Sequence, residues 1–262
     1  MSIVSSLVPV AHQMADAARA VILPYFRAPD LTADNKGSSD FDPVTEADRA
    51  AEAAMRDILA RLRPDDAIIG EEFGAAPGTT GLTWVLDPID GTRGFVSGTP
   101  TWGVLIAVGD ENGLHLGLID QPYIGERFIG HSGQAESVGP HGSRTLSTRS
   151  ARPLTDAILF TTFPEIGTPD DRAAFARVAD QVKLVRYGMD CYAYALLAAG
   201  QIDLVIEAGL ANYDIQAPIA LIEAAGGLVT NWEGGPVHTG GRALAAANAQ
   251  IHAAALQLLA GR

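Results

Sequence analysis

The stretch Trp84-Val85-Leu86-Asp87-Pro88-Ile89-Asp90-Gly91-Thr92-Arg93-Gly94-Phe95 sets two carboxylates three residues apart and follows them with Gly-Thr. Acid groups at the end of an apolar β run can hold hard divalent cations through oxygen. Gly-Thr can open a helix, and backbone amides at a helix start can hold a phosphate. One short segment therefore offers both halves of a metal-assisted phosphate site. D-P-x-D alone is also a common turn, so the reading depends on acids elsewhere in the chain.

Other segments supply them. Residues 67–72 read as a short strand ending in Glu71 and Glu72. Alternation points these two to opposite sides, so at most one faces a site shared with Asp87 and Asp90. Asp214 follows the turn 209–213 and opens a helix, as an N-cap, a ligand or both. Thr45 with Asp48 is a capping-box-like start for a helix running to about Leu62, which gives Asp48 a structural role. Asp42 precedes the cap and Pro43, and is a candidate for the site. Lys36 lies in a polar loop, as a solvated lysine or a site residue. Glu71, Asp87, Asp90 and Asp214, with the Ile89 carbonyl, would form an oxygen cage. Such carboxylates, once converged, repel and take up protons unless a cation joins them. Oxygen-only ligands favour Mg2+, Mn2+ or Ca2+ over zinc.

The elements that must position these acids follow from periodicity. Residues 3–26 form an amphipathic helix, with Val4, Leu7, Val8, Ala11, Met14, Ala15, Ala18, Val21 and Ile22 on one side. Residues 102–108 and 114–119 make a hairpin, and 127–130 a further strand. Residues 139–143, Gly-Pro-His-Gly-Ser, are a plausible seam between an N-terminal α+β lobe (1–140) that carries most of the acids and a C-terminal α/β lobe (141–262). In that second lobe strands at 157–162, 183–187, 202–207, 228–231 and 243–246 alternate with helices at 170–182, 192–199, 214–225 and 251–260.

Bulk properties narrow the function. The 262 residues suffice for one large domain or two packed lobes. A net charge of -13, with 18 basic against 31 acidic residues and no basic patch, argues against nucleic acid and anionic membrane as partners. An acidic protein that handles a phosphate needs bound cations, and Mg2+ is the usual solution. The single cysteine, Cys191, excludes an internal disulfide and suggests a reducing cytoplasm. The start lacks a basic signal-peptide region, and no apolar run reaches the ~20 residues of a membrane span. There is no H-E-x-x-H, no G-x-x-x-x-G-K-[ST] and no G-x-S-x-G.

Four ordered motifs, 42–48 (D-P-V-T-E-A-D), 70–72 (G-E-E), 87–92 (D-P-I-D-G-T) and Tyr213-Asp214 followed by 223–227 (E-A-A-G-G), resemble those of the inositol monophosphatase superfamily of Mg2+-dependent phosphatases. Tyr213 stands where that family usually has Trp. The resemblance implies a layered αβαβα sandwich and, by the family's habit, a homodimer. It implies that Glu71, Asp87, Asp90 and Asp214 hold two or three Mg2+, with Mn2+ as a substitute, and that Ile89 ligates through its carbonyl. Asp42 would hold a metal-bound water, and Lys36 would lie near the metals. Thr92, with an acidic neighbour, would orient the attacking water, and the Gly91 and Thr92 amides would receive phosphate oxygens. Hydrolysis would then proceed without a covalent enzyme intermediate.

The substrate is a small phosphorylated metabolite in this reading. Inositol phosphatases usually show D-G-T-x-N-F where this chain has Asp90-Gly91-Thr92-Arg93-Gly94-Phe95. With Arg186, Asp190 and Glu207 in the second half, the combination resembles the histidinol-phosphate phosphatase branch. Histidinol phosphate carries an ammonium group and an imidazole, and Asp190 and Glu207 could pair with those donors; Arg93 could add charge near the phosphate. Asp190 could instead cap the helix after it. An inositol or broad sugar-phosphate phosphatase, a nucleotidase acting on adenosine 3',5'-bisphosphate, and a non-catalytic metal-binding regulatory protein are the alternatives.

Overall fold

The computed structural model describes residues 3–29, 31–35 and 43–261. The first half comprises α1 (Val4–Ile22), β1 (Ala33–Asn35), β2 (Pro43–Thr45), α2 (Glu46–Leu62), β3 (Ala67–Gly70), β4 (Gly74–Ala76), β5 (Thr83–Asp90), α3 (Thr92–Ser97), β6 (Gly103–Asp110), β7 (Gly113–Gln121), β8 (Glu126–His131), β9 (Gln134–Gly139) and β10 (Gly142–Thr145). The second half comprises β11 (Ile158–Thr161), α4 (Pro169–Ala179), β12 (Leu184–Tyr187), α5 (Asp190–Ala198), β13 (Leu204–Leu210), α6 (Asn212–Ala224), β14 (Leu228–Thr230), β15 (Gly241–Ala246) and α7 (Ala249–Leu259).

Strands β3 to β10 form one eight-stranded sheet in the order β10-β9-β8-β7-β6-β5-β3-β4, antiparallel except for the parallel pair β3/β5. A five-stranded sheet runs β12-β11-β13-β15-β14, parallel across β12, β11 and β13. Helices α1 and α2 cover the outer face of the large sheet, α5 and α6 lie between the sheets, and α4 and α7 cover the outer face of the small one. The layers therefore read αβαβα. Among the described residues, three apolar cores fill the four helix–sheet interfaces: one on the outer face of each sheet, and one that runs through the α5/α6 layer to both sheets.

Local chemistry explains the elements. Helix α1 buries Leu7, Val10, Ala11, Met14, Ala15, Ala18 and Ile22, one stripe of a 3.6-residue period. It stops at Ile22, short of the expected residue 26, just before Leu23-Pro24. The capping box at α2 forms: the Thr45 amide donates to Asp48 Oδ2 at 2.8 Å, and the Ala47 amide donates to Thr45 Oγ1 at 3.2 Å. Helix α6 is buried along most of its length, with Ile215, Ala217, Ile219, Leu221 and Ile222 inside, as a helix between two sheets must be. It approaches β7 so closely that a Cβ at Gly117 would stand 2.2 Å from the Ala217 carbonyl oxygen.

The structure places the residues of the expected seam differently and adds two strands that the sequence does not signal. Residues 139–143 form the turn of the β9/β10 hairpin, and the chain leaves the large sheet after Thr145. Strand β10, at the sheet edge, is exposed and its neighbour β9 is half-exposed; both have little apolar alternation, so periodicity does not reveal them.

Candidate active site

Strand β5 does not turn at Pro88 but runs on to Asp90. Residues three apart in a regular strand face opposite sides. Here Asp87 pairs with Leu105 and Asp90 with Gly103, so three steps along β5 match two along β6. One extra residue is accommodated as a bulge at Pro88-Ile89, where proline has no N–H for the ladder. The bulge turns both carboxylates into the same cavity. The Ile89 amide donates to Asp87 Oδ1 at 3.1 Å. Gly91, with φ 81°, then sets the left-handed step that opens α3.

Glu71 and Glu72 lie in the turn just past β3. Buried Glu52 of α2 fixes that turn: its carboxylate accepts the Glu72 amide at 2.6 Å and the Phe73 amide at 3.2 Å, and Arg56 Nε at 2.8 Å. Glu71 is the one of the two that lines the cavity. Asp214 is not the N-cap of α6. It is the third helical residue, and its Oδ2 accepts the amide of Ala211, the N-cap position, at 2.6 Å. It is thus both a capping group and a cavity-lining acid.

The cavity has a volume of about 630 Å3 and its acidic lining is Glu71, Asp87, Asp90, Glu165, Asp190, Glu207 and Asp214, with Arg93 as its one cationic side chain among the described residues. One carboxylate oxygen each from Asp87, Asp90 and Asp214 lie within 4.8 Å of one another, a spacing one metal ion can bridge. Burial, then the charges of Glu71, Asp90 and Asp214, push the Asp87 carboxyl well above the usual range. Burial, then Asp190, Asp214 and Glu207, do the same to Asp90. Asp214 is raised to about 7, chiefly by burial and then by Glu71 and Glu207, against the Ala211 amide, which lowers it. Acids crowded in this way are stable as anions only with positive charge among them. An all-oxygen donor set of this kind fits a hard divalent cation.

The remaining wall of the cavity is built mainly from the second half of the chain. Asp190 does not cap α5; it is that helix's first residue, with φ 45°. Its Oδ2 accepts Thr101 Oγ1 at 2.9 Å, and Arg93 lies near enough to oppose the upward push of burial on its carboxyl. The next amide, Cys191 N–H, donates to Asp90 Oδ2 at 2.6 Å and locks the start of α5 onto the acid cluster. Glu207 is buried. It accepts the Thr162 amide at 3.1 Å, the Thr162 hydroxyl, and the Tyr194 hydroxyl at 2.8 Å. Thr92 Oγ1 donates to the Ile89 carbonyl at 3.1 Å. The Arg93 guanidinium sits 4.9 Å from the centroid of the Phe163 ring.

Glu71, Asp87, Ile89, Asp90, Gly91, Thr92, Arg93, Asp190, Glu207 and Asp214 all line this one cavity. Arg186 does not: it is exposed on edge strand β12, outside the lining residues. Lys36 and Asp42 lie outside the described residues. Sequence reasoning missed Glu52, Thr101, Phe163 and Tyr194. Of these only Tyr194 leaves a signal, four residues after Asp190 on the same helix face. Glu52, Thr101 and Phe163 reach their places through tertiary packing.

Residues 4–261 match the inositol monophosphatase family. The chain belongs to that family. It is 42% identical over 261 residues to a chloroplastic bifunctional phosphatase of Arabidopsis thaliana, covering 95% of this chain and 74% of the relative. It is 35% identical over 246 residues to a histidinol-phosphatase of Mycobacterium tuberculosis, covering 93% and 94%. Among solved structures, an inositol monophosphatase from Zymomonas mobilis matches with a TM-score of 0.87 and 38% identity, over 99% of this chain and 100% of that one. Members of the family are metal-dependent phosphatases, and the acid cluster at Asp87, Asp90 and Asp214 is one that could hold a metal. No helix among the described residues is long and apolar enough to cross a membrane.

Proposed function

We propose that this family member is a Mg2+-dependent phosphomonoesterase that hydrolyses L-histidinol phosphate to L-histidinol and phosphate. The observation that carries the choice is Asp190, an acid held over the Gly91 turn in the same cavity as Asp87, Asp90 and Asp214. An ammonium- or imidazole-bearing alcohol gains a charged hydrogen bond there that a neutral polyol does not. Glu207 spends three acceptor positions on Thr162 and Tyr194, so it shapes that wall and offers what remains to the imidazole.

Glu71, Asp87, Asp90 and Asp214, with the Ile89 carbonyl, would hold the metal. Bound Mg2+ supplies charge neutralisation for the phosphate and makes water a better nucleophile. The Gly91 and Thr92 amides receive phosphate oxygens at the start of α3, and Arg93 adds charge at the rim. Glu71 and the Thr92 hydroxyl orient the water that attacks phosphorus as the ester P–O bond breaks. The acids of residues 1–140 serve the phosphate, and those of 141–262, apart from Asp214, serve the leaving group.

A phosphate-release panel with Mg2+ tests this, comparing L-histidinol phosphate, inositol 1-phosphate, fructose 1,6-bisphosphate and adenosine 3',5'-bisphosphate. Highest kcat/KM for L-histidinol phosphate is expected. Preference for inositol 1-phosphate would establish the second reading, which the likeness to the Zymomonas enzyme favours. Metal binding without release from any substrate would point to a regulatory protein.

A further inference from the structure

Gly94 and Asp190 come from opposite halves of the chain and meet beside the cavity. A Cβ at Gly94 would stand 3.0 Å from Thr101 Oγ1, 3.0 Å from Thr99 Oγ1 and 3.1 Å from Asp190 Oδ2. Gly94 lies inside α3 and is not among the glycines of positive φ, so its backbone is one any residue can adopt. What a side chain would meet there is the crowding of these neighbouring side-chain oxygens, which must give way for it to fit.

Those atoms are held in place. Asp190 Oδ2 accepts Thr101 Oγ1 at 2.9 Å, and Thr99 Oγ1 donates to the Gly94 carbonyl at 3.2 Å. Asp190 itself is in the left-handed region at φ 45°, a conformation that for a residue with a Cβ persists only where the surroundings impose it. One imposing contact is the Cys191 amide on Asp90 Oδ2. Another is the Gly91 backbone, where an added Cβ would meet Asp190 Cγ at 2.7 Å.

We propose that Gly94 is a specificity-determining position that acts through Asp190. The missing side chain at 94 is what lets the Asp190 carboxylate lie on the Asp90–Gly94 turn, bonded to Thr101 and facing the cavity, where it selects a leaving group that carries a cationic nitrogen. A side chain of asparagine size at 94 displaces that carboxylate and leaves Asp87, Asp90 and Asp214 where they are. The inference rests on the proposed recognition of a cationic alcohol and identifies what positions the recognising acid.

The test uses the full chain with Mg2+ and the variants Gly94→Asn, Asp190→Ala and the double variant. It reads kcat/KM for L-histidinol phosphate against glycerol 2-phosphate, which has no cationic nitrogen, and the Kd of L-histidinol by calorimetry. Gly94→Asn should lower the selectivity ratio about tenfold or more, mainly through KM, as for loss of one hydrogen bond to a charged group. L-Histidinol binding should weaken by a similar factor, and the double variant should lose no more selectivity than Asp190→Ala. Should Gly94→Asn not fold, Gly94→Ala adds only a Cβ and Thr101→Val only removes the donor; each should lower the ratio. A wild type with no preference for L-histidinol phosphate would refute the reading of the cavity itself. A preference that survives these variants, or losses in the double variant that multiply, would refute the role of Gly94 alone.

Discussion

Replacing Asp214 by Asn removes one charge from the acid cluster and keeps an oxygen for the Ala211 amide. In the metal-free protein this should stabilise the fold at high pH. The Asp214 carboxyl is raised from 3.8 to about 7. The folded state therefore holds a proton that the unfolded chain releases. Its contribution is full below about pH 4 and is lost as pH rises through about 7. The interval from 3.8 to about 7 corresponds to about 4 kcal/mol. Asn has no proton to lose, so wild type and variant should be similar near pH 4.5. At pH 8 in EDTA the variant should be more stable by up to about 4 kcal/mol, or on the order of 10 °C in Tm for a chain of this size. Relief of Asp87 and Asp90 acts in the same direction. Saturating Mg2+ should reverse the order, because it stabilises the intact acid set. Thermal unfolding followed by circular dichroism from pH 4.5 to 8.5, with EDTA or Mg2+, is the assay. Stability differences that do not change with pH, or a metal-free variant weaker than wild type at pH 8, would refute this account of the cluster.

Further expectations concern neighbouring residues. Asp90→Asn should abolish phosphate release while circular dichroism shows an intact fold; substantial turnover at saturating Mg2+ would contradict its place among the ligands. Glu52→Ala leaves the Glu72 and Phe73 amides and Arg56 without their acceptor, and should cost roughly 3 kcal/mol in urea unfolding along with metal affinity; an unchanged midpoint would show that the turn holds Glu71 unaided. The stabilisation given by Mg2+ should grow from pH 5.5 to 8, because protons compete for the raised carboxyls; a flat or opposite trend in ΔTm would count against carboxylate ligands. Asp190→Asn should harm L-histidinol phosphate hydrolysis more than that of other phosphomonoesters, and equal losses across a substrate panel would remove its recognition role.

Much of the fold was legible because its elements carry strong periodic signals. The stripe on α1, the Thr45/Asp48 capping box and the alternation of strands and helices after residue 157 each correspond to an element close to where the pattern sets it. The polar edge strand β10 and its half-exposed neighbour β9 were not legible, because strands so open to solvent need no apolar alternation. The convergence of Glu71, Asp87, Asp90 and Asp214 was legible as chemistry and as family resemblance, but not as geometry. Spacing alone would put Asp87 and Asp90 on opposite faces, and only the bulge at Pro88-Ile89 corrects this. Nor could sequence show that Asp190 and Gly94 pack together, since a contact across nearly a hundred residues leaves no periodic trace. Arg186 illustrates the converse: a basic residue near Asp190 in sequence sits exposed on β12, away from the cavity.

The central claim is that the buried acids meet to hold a divalent cation over a phosphoester. Anomalous diffraction from crystals grown with Mn2+ in place of Mg2+ tests it most directly. The account predicts a peak within about 2.5 Å of carboxylate oxygens of Asp87, Asp90 and Asp214. Peaks confined to other surfaces, in a protein that still releases phosphate after EDTA treatment, would contradict it.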